Sequence, residues 1–218
     1  MPTERMAGSA DNEGRRGIGG VALRSDETLT NGTDGIAQEG QILLELVDSQ
    51  GRTVGTSEKL AAHQMPGQLH RAFSVFLFDS EGRMLLQRRA LRKYHSPGVW
   101  SNACCGHPYP GEAPFHAATR RTIEELGIAP ALLAAAGTVT YHHPDPASGL
   151  VEHEFNHLFV GRVEGATRPD PDEVAEVSFV TPGELAERQA SATFSAWFND
   201  VLDAARPTIR RLDIAPIW

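Results

Sequence analysis

Residues 106–128 read G-H-P-Y-P-G-E-A-P-F-H-A-A-T-R-R-T-I-E-E-L-G-I. Proline at 114 suits the first turn of a helix, where its missing N–H would have no partner in any case, and glycine at 127 suits the left-handed residue just past a helix end. The spacing predicts a helix over Pro114–Leu126. Arg120, Arg121, Glu124 and Glu125 crowd its second half. Carboxylates there meet the negative end of the helix dipole, at a cost of about 0.3 kcal/mol or more. Arginines four residues earlier offset part of this, in the weaker of the two orientations. A solvated charged face is one account of the cluster. The other is a divalent-metal site, since a hard cation takes neighbouring carboxylate oxygens as ligands.

Outward from this helix the chain reads as strands, helix, strands, helices. Residues 42–47 form a strand, followed by a turn at Asp48-Ser49-Gln50-Gly51. Ser57 caps a short helix running to His63, and Met65-Pro66-Gly67 breaks it. Residues 70–78 are β-rich, and 83–88 pair back on them as a hairpin across the turn at 79–82. Beyond the central helix, 138–141, 151–163 and 177–180 read as strands. Thr181-Pro182 starts a short helix, and a last helix runs from 192 or 195 to 205. This order argues for an α+β class.

Lys and Arg number 20 against 28 Asp and Glu in 218 residues, a net charge of −8. Such a chain lacks the basic footprint of a nucleic-acid binder, so no nucleic-acid partner is expected. A phosphate-bearing ligand needs a local cationic patch or a metal. No apolar run approaches the ~18–20 residues of a membrane span, and the N-terminus lacks a charged-then-apolar leader. No membrane insertion and a cytoplasmic location are expected, with Asn31-Gly32-Thr33 left unglycosylated. The two cysteines, Cys104 and Cys105, are adjacent. They read as free thiols in a reducing compartment, because a ring between neighbours is strained. Residues 1–40 hold eight Gly and seven acids against four Arg, with few large apolar side chains. They read as a flexible tail, and 41–218 as a single domain. A monomer is slightly favoured over an oligomer.

Three further segments carry chemistry. His63 and His70 flank the Pro66-Gly67 break, Cys105-Gly106-His107 precedes the central helix, and Glu152 and Glu154 share a strand. Strand side chains alternate, so the two glutamates point to one face about 7 Å apart. Like charges on a buried face are costly without a cation between them. Three His and two Glu can build a five- or six-coordinate transition-metal site. His153-Glu154-Phe155-Asn156-His157 also matches the zinc-protease signature H-E-x-x-H. That motif works only on a helix, and its flanks here are β-formers. On a strand the two histidines stand about 13 Å apart and share no zinc.

The spacing Gly106, Glu112, Arg120, Glu124-Glu125-x-Gly127-Ile128 resembles the Nudix box, a loop–helix–loop that binds Mg²⁺ on a diphosphate. It departs at Arg121, where the hydrolase pattern has a glutamate needed for its metal cluster. A cation there suggests a site that holds a diphosphate without cleaving it. The phrases E-K-L-A-A-H (58–63), L-H-R-A-F-S-V-F-L-F (69–78), R-R-A-L-R-K (88–93), P-G-V-W-S-N-A-C-C-G-H-P (97–108) and S-G-L-V-E-H-E (148–154) extend the likeness. With them the chain resembles the type I isopentenyl-diphosphate isomerases of the Nudix superfamily over about residues 40–200.

The resemblance implies an α+β fold, a Nudix-like mixed β-sheet sandwich flanked by helices, behind a disordered N-terminal tail. It implies interconversion of isopentenyl and dimethylallyl diphosphate in isoprenoid biosynthesis, with a small isoprenoid diphosphate as the partner. His63, His70, His107, Glu152 and Glu154 resemble the family's Mn²⁺ or Zn²⁺ ligands, and Glu125 the carboxylate of its Mg²⁺–diphosphate site. Cys105, Glu154 and Tyr141 resemble its catalytic groups. Lys59, Arg89, Lys93 and Arg121 resemble its diphosphate-binding cations, and Trp197 an active-site aromatic. The competing readings are a Nudix hydrolase of a nucleoside diphosphate derivative and a catalytically silent ligand-binding member.

Overall fold

In the computed structural model, the described residues are 42–93, 95–145 and 148–218. The tail expected over 1–40 lies outside them. The elements in chain order are β1 Leu43–Val47, β2 Thr53–Glu58, α1 Lys59–His63, β3 His70–Phe78, β4 Met84–Arg89, β5 Trp100–Asn102 and β6 Cys104–Gly106. Then come α2 Pro114–Leu126, β7 Leu132–Asp145, β8 Leu150–Arg162, β9 Val174–Val180, α3 Pro182–Ser191 and α4 Phe198–Arg211.

β3 is the axis of the sheet. It pairs parallel with β8 along its full length, from His70↔Glu154 to Phe78↔Arg162. It also pairs antiparallel with β1 and with β6. β7 extends the sheet beyond β8, and β4 joins β5 and β9. A parallel pair inside an otherwise antiparallel sheet makes the fold a mixed α+β one.

Alternation along β3 divides the hydrophobic core in two. Phe76 and Phe78 pack with Leu158, Val160 and the buried face of α4, namely Phe198, Val201, Leu202, Ala205 and Ile209. Phe73, Val75 and Leu77 face the other way, onto Ala117, Ala118 and Leu126 of α2. The sheet is thus sandwiched between α2 and α4. Burying each such large side chain contributes about 1.5–3 kcal/mol.

The central helix has the expected limits, with Pro114 in its first turn and Gly127 as a left-handed cap at φ 64°. A side chain at 127 would meet the Arg168 carbonyl oxygen at 2.4 Å, so the cap admits only glycine. The helix expected at Thr181-Pro182 begins with a reciprocal cap. Thr181 Oγ1 accepts the Glu184 N–H, and the Glu184 carboxylate accepts the Thr181 N–H.

Four local expectations need correction. Ser57 does not cap α1, because the β1–β2 ladder continues through Leu44↔Ser57 to Leu43↔Glu58 and claims it for a strand. β3 and β4 meet only at Phe78↔Met84, since β4 takes its partners from β5 and β9 instead. β7 spans fourteen residues rather than 138–141, held by a long ladder to β8. The last helix passes through Pro207 to Arg211, because Thr208 and Ile209 are buried beyond the proline.

Candidate active site

The break at 64–69 brings α1 back over the start of β3, so His63 and His70 meet with ring centroids 4.6 Å apart. β6, paired to β3 by Ser74↔Cys105, delivers His107 from the following residues. The register His70↔Glu154 puts Glu154 beside His70, and Glu152 follows on the same face. His63, His70, His107, Glu152 and Glu154 each place one donor atom within 4.8 Å of all the others. His63 Nδ1–H donates to the Lys59 carbonyl at 2.7 Å and His70 Nδ1–H to the Gln68 carbonyl at 2.8 Å. Those bonds anchor Nδ1 of each ring and turn Nε2 toward the cluster, the usual outer-shell arrangement of metal-binding histidines. His70 Nε2 lies 3.2 Å from His107 Nε2, which lies 3.0 Å from Glu154 Oε1. Desolvation, aided by the neighbouring histidines, outweighs Glu154 and lowers the His107 pKa to about 4, which favours the neutral, ligating imidazole. Burial alone would keep Glu152 neutral, yet His63 and His95 hold it well below the usual carboxylate range. The donor set suits a divalent metal ion.

Glu154 has two sides. Its Oε1 faces His107 and His70. Its Oε2 accepts a hydrogen bond from the Tyr141 hydroxyl and another from Asn156 Nδ2 at 3.1 Å. Asn156 also donates to the Tyr141 oxygen at 3.0 Å. That donation leaves the tyrosine proton directed at Glu154. Tyr141 is in place because it pairs with Glu154 in the β7–β8 ladder.

The adjacent cysteines go opposite ways. Cys105 pairs with Ser74 and reaches the pocket, whereas Cys104 pairs with Val75 and is buried against the α2 layer. Desolvation, reinforced by Glu125, Glu154 and Glu152 and opposed by Arg89, pushes the Cys105 thiol up to about 12. It therefore keeps its proton at neutral pH.

Lys59, Arg89, Lys93, Arg121, Glu125 and Trp197 line the same pocket as Cys105, His63, His107, Glu152 and Glu154. Glu125 is buried and accepts hydrogen bonds from Gln87 at 3.1 Å and Arg121 at 2.6 Å, while Glu124 is exposed. Arg121 also faces Glu173 at 3.3 Å, and Lys93 pairs with Glu173. Arg120 is bound differently. It grips Glu112 with two bonds of 2.9 and 2.8 Å and lies 4.3 Å over the Tyr109 ring. The Glu112–Arg120 spacing is therefore a clasp that folds the loop onto its helix. Trp197 is buried, with no hydrogen-bond partner for its Nε1 among the described residues.

The NUDIX domain family matches residues 68–198. An isopentenyl-diphosphate Delta-isomerase of Streptomyces griseus is 76% identical over 171 residues, covering 78% of this chain and 87% of the relative. One from Nocardia farcinica is 46% identical, covering 77% and 96%. The chain belongs to the isopentenyl-diphosphate Delta-isomerase family, within the NUDIX domain family. A crystal structure from Deinococcus radiodurans superposes with a TM-score of 0.62 at 19% identity, covering 75% of this chain and 98% of that one, which is a likeness of fold alone.

Against the isomerase family pattern, the strand reading of H-E-x-x-H holds. His153 and His157 lie on β8, facing away from Glu152 and Glu154. His153 is bound to the Gly67 carbonyl and His157 to Arg71. Two neighbours of the cluster escaped the sequence reading, His95 and Asn156. Asn156 was within reach, since alternation from Glu152 and Glu154 leads to it. His95 sits in a turn with no periodic signal. Among the described residues no helix is long and apolar enough to cross a membrane.

Proposed function

We propose that this chain interconverts isopentenyl diphosphate and dimethylallyl diphosphate by 1,3-allylic proton transfer, as a step of isoprenoid biosynthesis. The observation that carries the reading is the meeting of Cys105 and the Tyr141–Glu154 pair in one pocket with a cationic end. An alkene is a very weak base, so a desolvated acid must protonate one carbon while a base removes a proton from another. Cys105 and Glu154 divide these two transfers, with Tyr141 relaying to Glu154 Oε2. The face of Trp197 stabilises the tertiary carbocation-like intermediate. Burial excludes water, which would capture the cation as an alcohol.

Lys59, Arg89, Lys93 and Arg121 hold the diphosphate without promoting its departure. His63, His70, His107, Glu152 and Glu154 would hold Mn²⁺ or Zn²⁺, and Glu125 would hold the Mg²⁺ that accompanies the diphosphate. When bound, the ions would supply positive charge that offsets the carboxylates and the diphosphate oxygens. The chain works as a cytoplasmic monomer. A hydrolase reading is disfavoured by Arg121, which stands where hydrolysis needs a carboxylate. Incubation of the purified chain with isopentenyl diphosphate, Mg²⁺ and Mn²⁺ should yield dimethylallyl diphosphate. Released phosphate instead, or no turnover, would overturn the reading.

A further inference from the structure

His95 lies on the connection from β4 to β5, just after the cationic run at 88–93. The residue is 6% exposed. Nδ1 stands 2.8 Å from Glu152 Oε1, and the other carboxylate oxygen, Oε2, stands 3.4 Å from His63 Nε2. Nε2 of His95 lies 3.5 Å from Asp145 Oδ2. The same turn is gripped from the diphosphate end. The Arg89 guanidinium donates to the His95 carbonyl at 3.1 Å and to the Ser96 carbonyl at 3.2 Å.

We propose that His95 is a positioning residue that fixes Glu152 in its metal-facing orientation, and that Arg89 extends this control by holding the turn on which His95 sits. A glutamate carboxylate rotates freely unless one oxygen is engaged. With Oε1 taken by the imidazole N–H, Oε2 is left directed at the cluster. Outer-shell donors of this kind are worth roughly 10–100-fold in metal affinity. The two bonds from Arg89 to the turn give it a route to Glu152 through His95. One segment thereby links the histidine–glutamate cluster to the cationic end of the pocket. The inference rests on reading the cluster as a divalent-metal site.

The test uses Co²⁺ alone as the probe, titrated into the metal-free full chain against a competing chelator and followed by its visible absorption. His95→Leu should bind Co²⁺ about 10–100-fold more weakly than wild type. His95→Asn is nearly isosteric with it but keeps a side-chain N–H, and should recover most of the affinity. Arg89→Lys keeps the charge, loses the two-point grip, and should show a smaller loss that disappears in the His95→Leu background. Thermal melts of all variants separate these effects from loss of fold, and His95→Ala carries the same expectation where His95→Leu does not fold. Unchanged affinity in His95→Leu, or equal losses in His95→Leu and His95→Asn, would overturn the positioning role. An additive loss for Arg89→Lys would overturn its part. Wild type that binds no Co²⁺ would instead bring down the metal reading itself.

Discussion

Strands β6 and β8 each present two faces, and the faces differ in chemistry although they share residue types. One face carries Cys105, Glu152, Glu154 and Asn156, with His70 and Tyr141 in register beside them. The other carries Cys104, His153 and His157. Cys104 meets the apolar layer under α2. His153 and His157 are spent on a carbonyl and an arginine. A cysteine or histidine gains a role here from what its face meets. A one-residue slip in register would exchange the two sets.

The sharpest way to break this comparison is through the cysteines. Cys105→Ala should lower isomerisation by about 10²–10⁴-fold, the usual loss for a missing acid or base. Cys104→Ser should retain substantial turnover and show its effect in stability, about 1–3 kcal/mol for burying a hydroxyl in an apolar layer. Steady-state kinetics and thermal melts read both. Equal kinetic losses would erase the distinction between the faces.

Metal content tests the histidines in the same way. The double variant His63→Ala, His107→Ala should lose its tightly held transition metal, while His153→Ala, His157→Ala should keep it. Elemental analysis of both against wild type decides, and matching content in the first pair would remove the cluster from the mechanism.

Arg121 extends the comparison, because it rises from the helix layer on the Cys104 side yet reaches the pocket. Arg121→Glu should cut turnover by about two orders of magnitude or more, since a lost charged hydrogen bond costs about 1.5–3 kcal/mol and repulsion of the diphosphate adds to it. Arg121→Ala should lose less. Phosphate release should not appear, because one carboxylate positions no water. Near-wild-type turnover in both variants would leave Arg121 as an ion-pair partner of Glu125 and Glu173 only.

The smallest effect is expected from the N-terminus. Removal of residues 1–38 should leave turnover within about twofold, because that stretch carries no member of either face. A large loss with an unchanged melt would show that the site draws on residues beyond the two faces.

Much of this was legible from the chain alone. The Pro114–Leu126 helix and its glycine cap follow from local rules, since a missing N–H and a left-handed cap need no tertiary partner. β3 was legible because a nine-residue run of mostly apolar side chains has few other ways to be buried. β2, β5 and β6 were not. β2 is a polar, exposed edge, and the other two are three-residue strands whose identity comes wholly from their partners. The Glu112–Arg120 spacing was visible as a motif, but its role as a clasp required the fold.

The sequence by itself determined which residue types the chain commits to chemistry, at which spacings, and that Glu152 and Glu154 share a face. Covalent connectivity and strand alternation act locally and need no further information. Only the tertiary structure decided that five donors from α1, β3, β8 and the end of β6 converge within 4.8 Å, that Cys105 and not Cys104 enters the pocket, and that His95 backs Glu152. Those outcomes depend on strand register and on the path of a turn. Both are set by hydrogen bonds and packing between segments tens of residues apart, which no local pattern encodes.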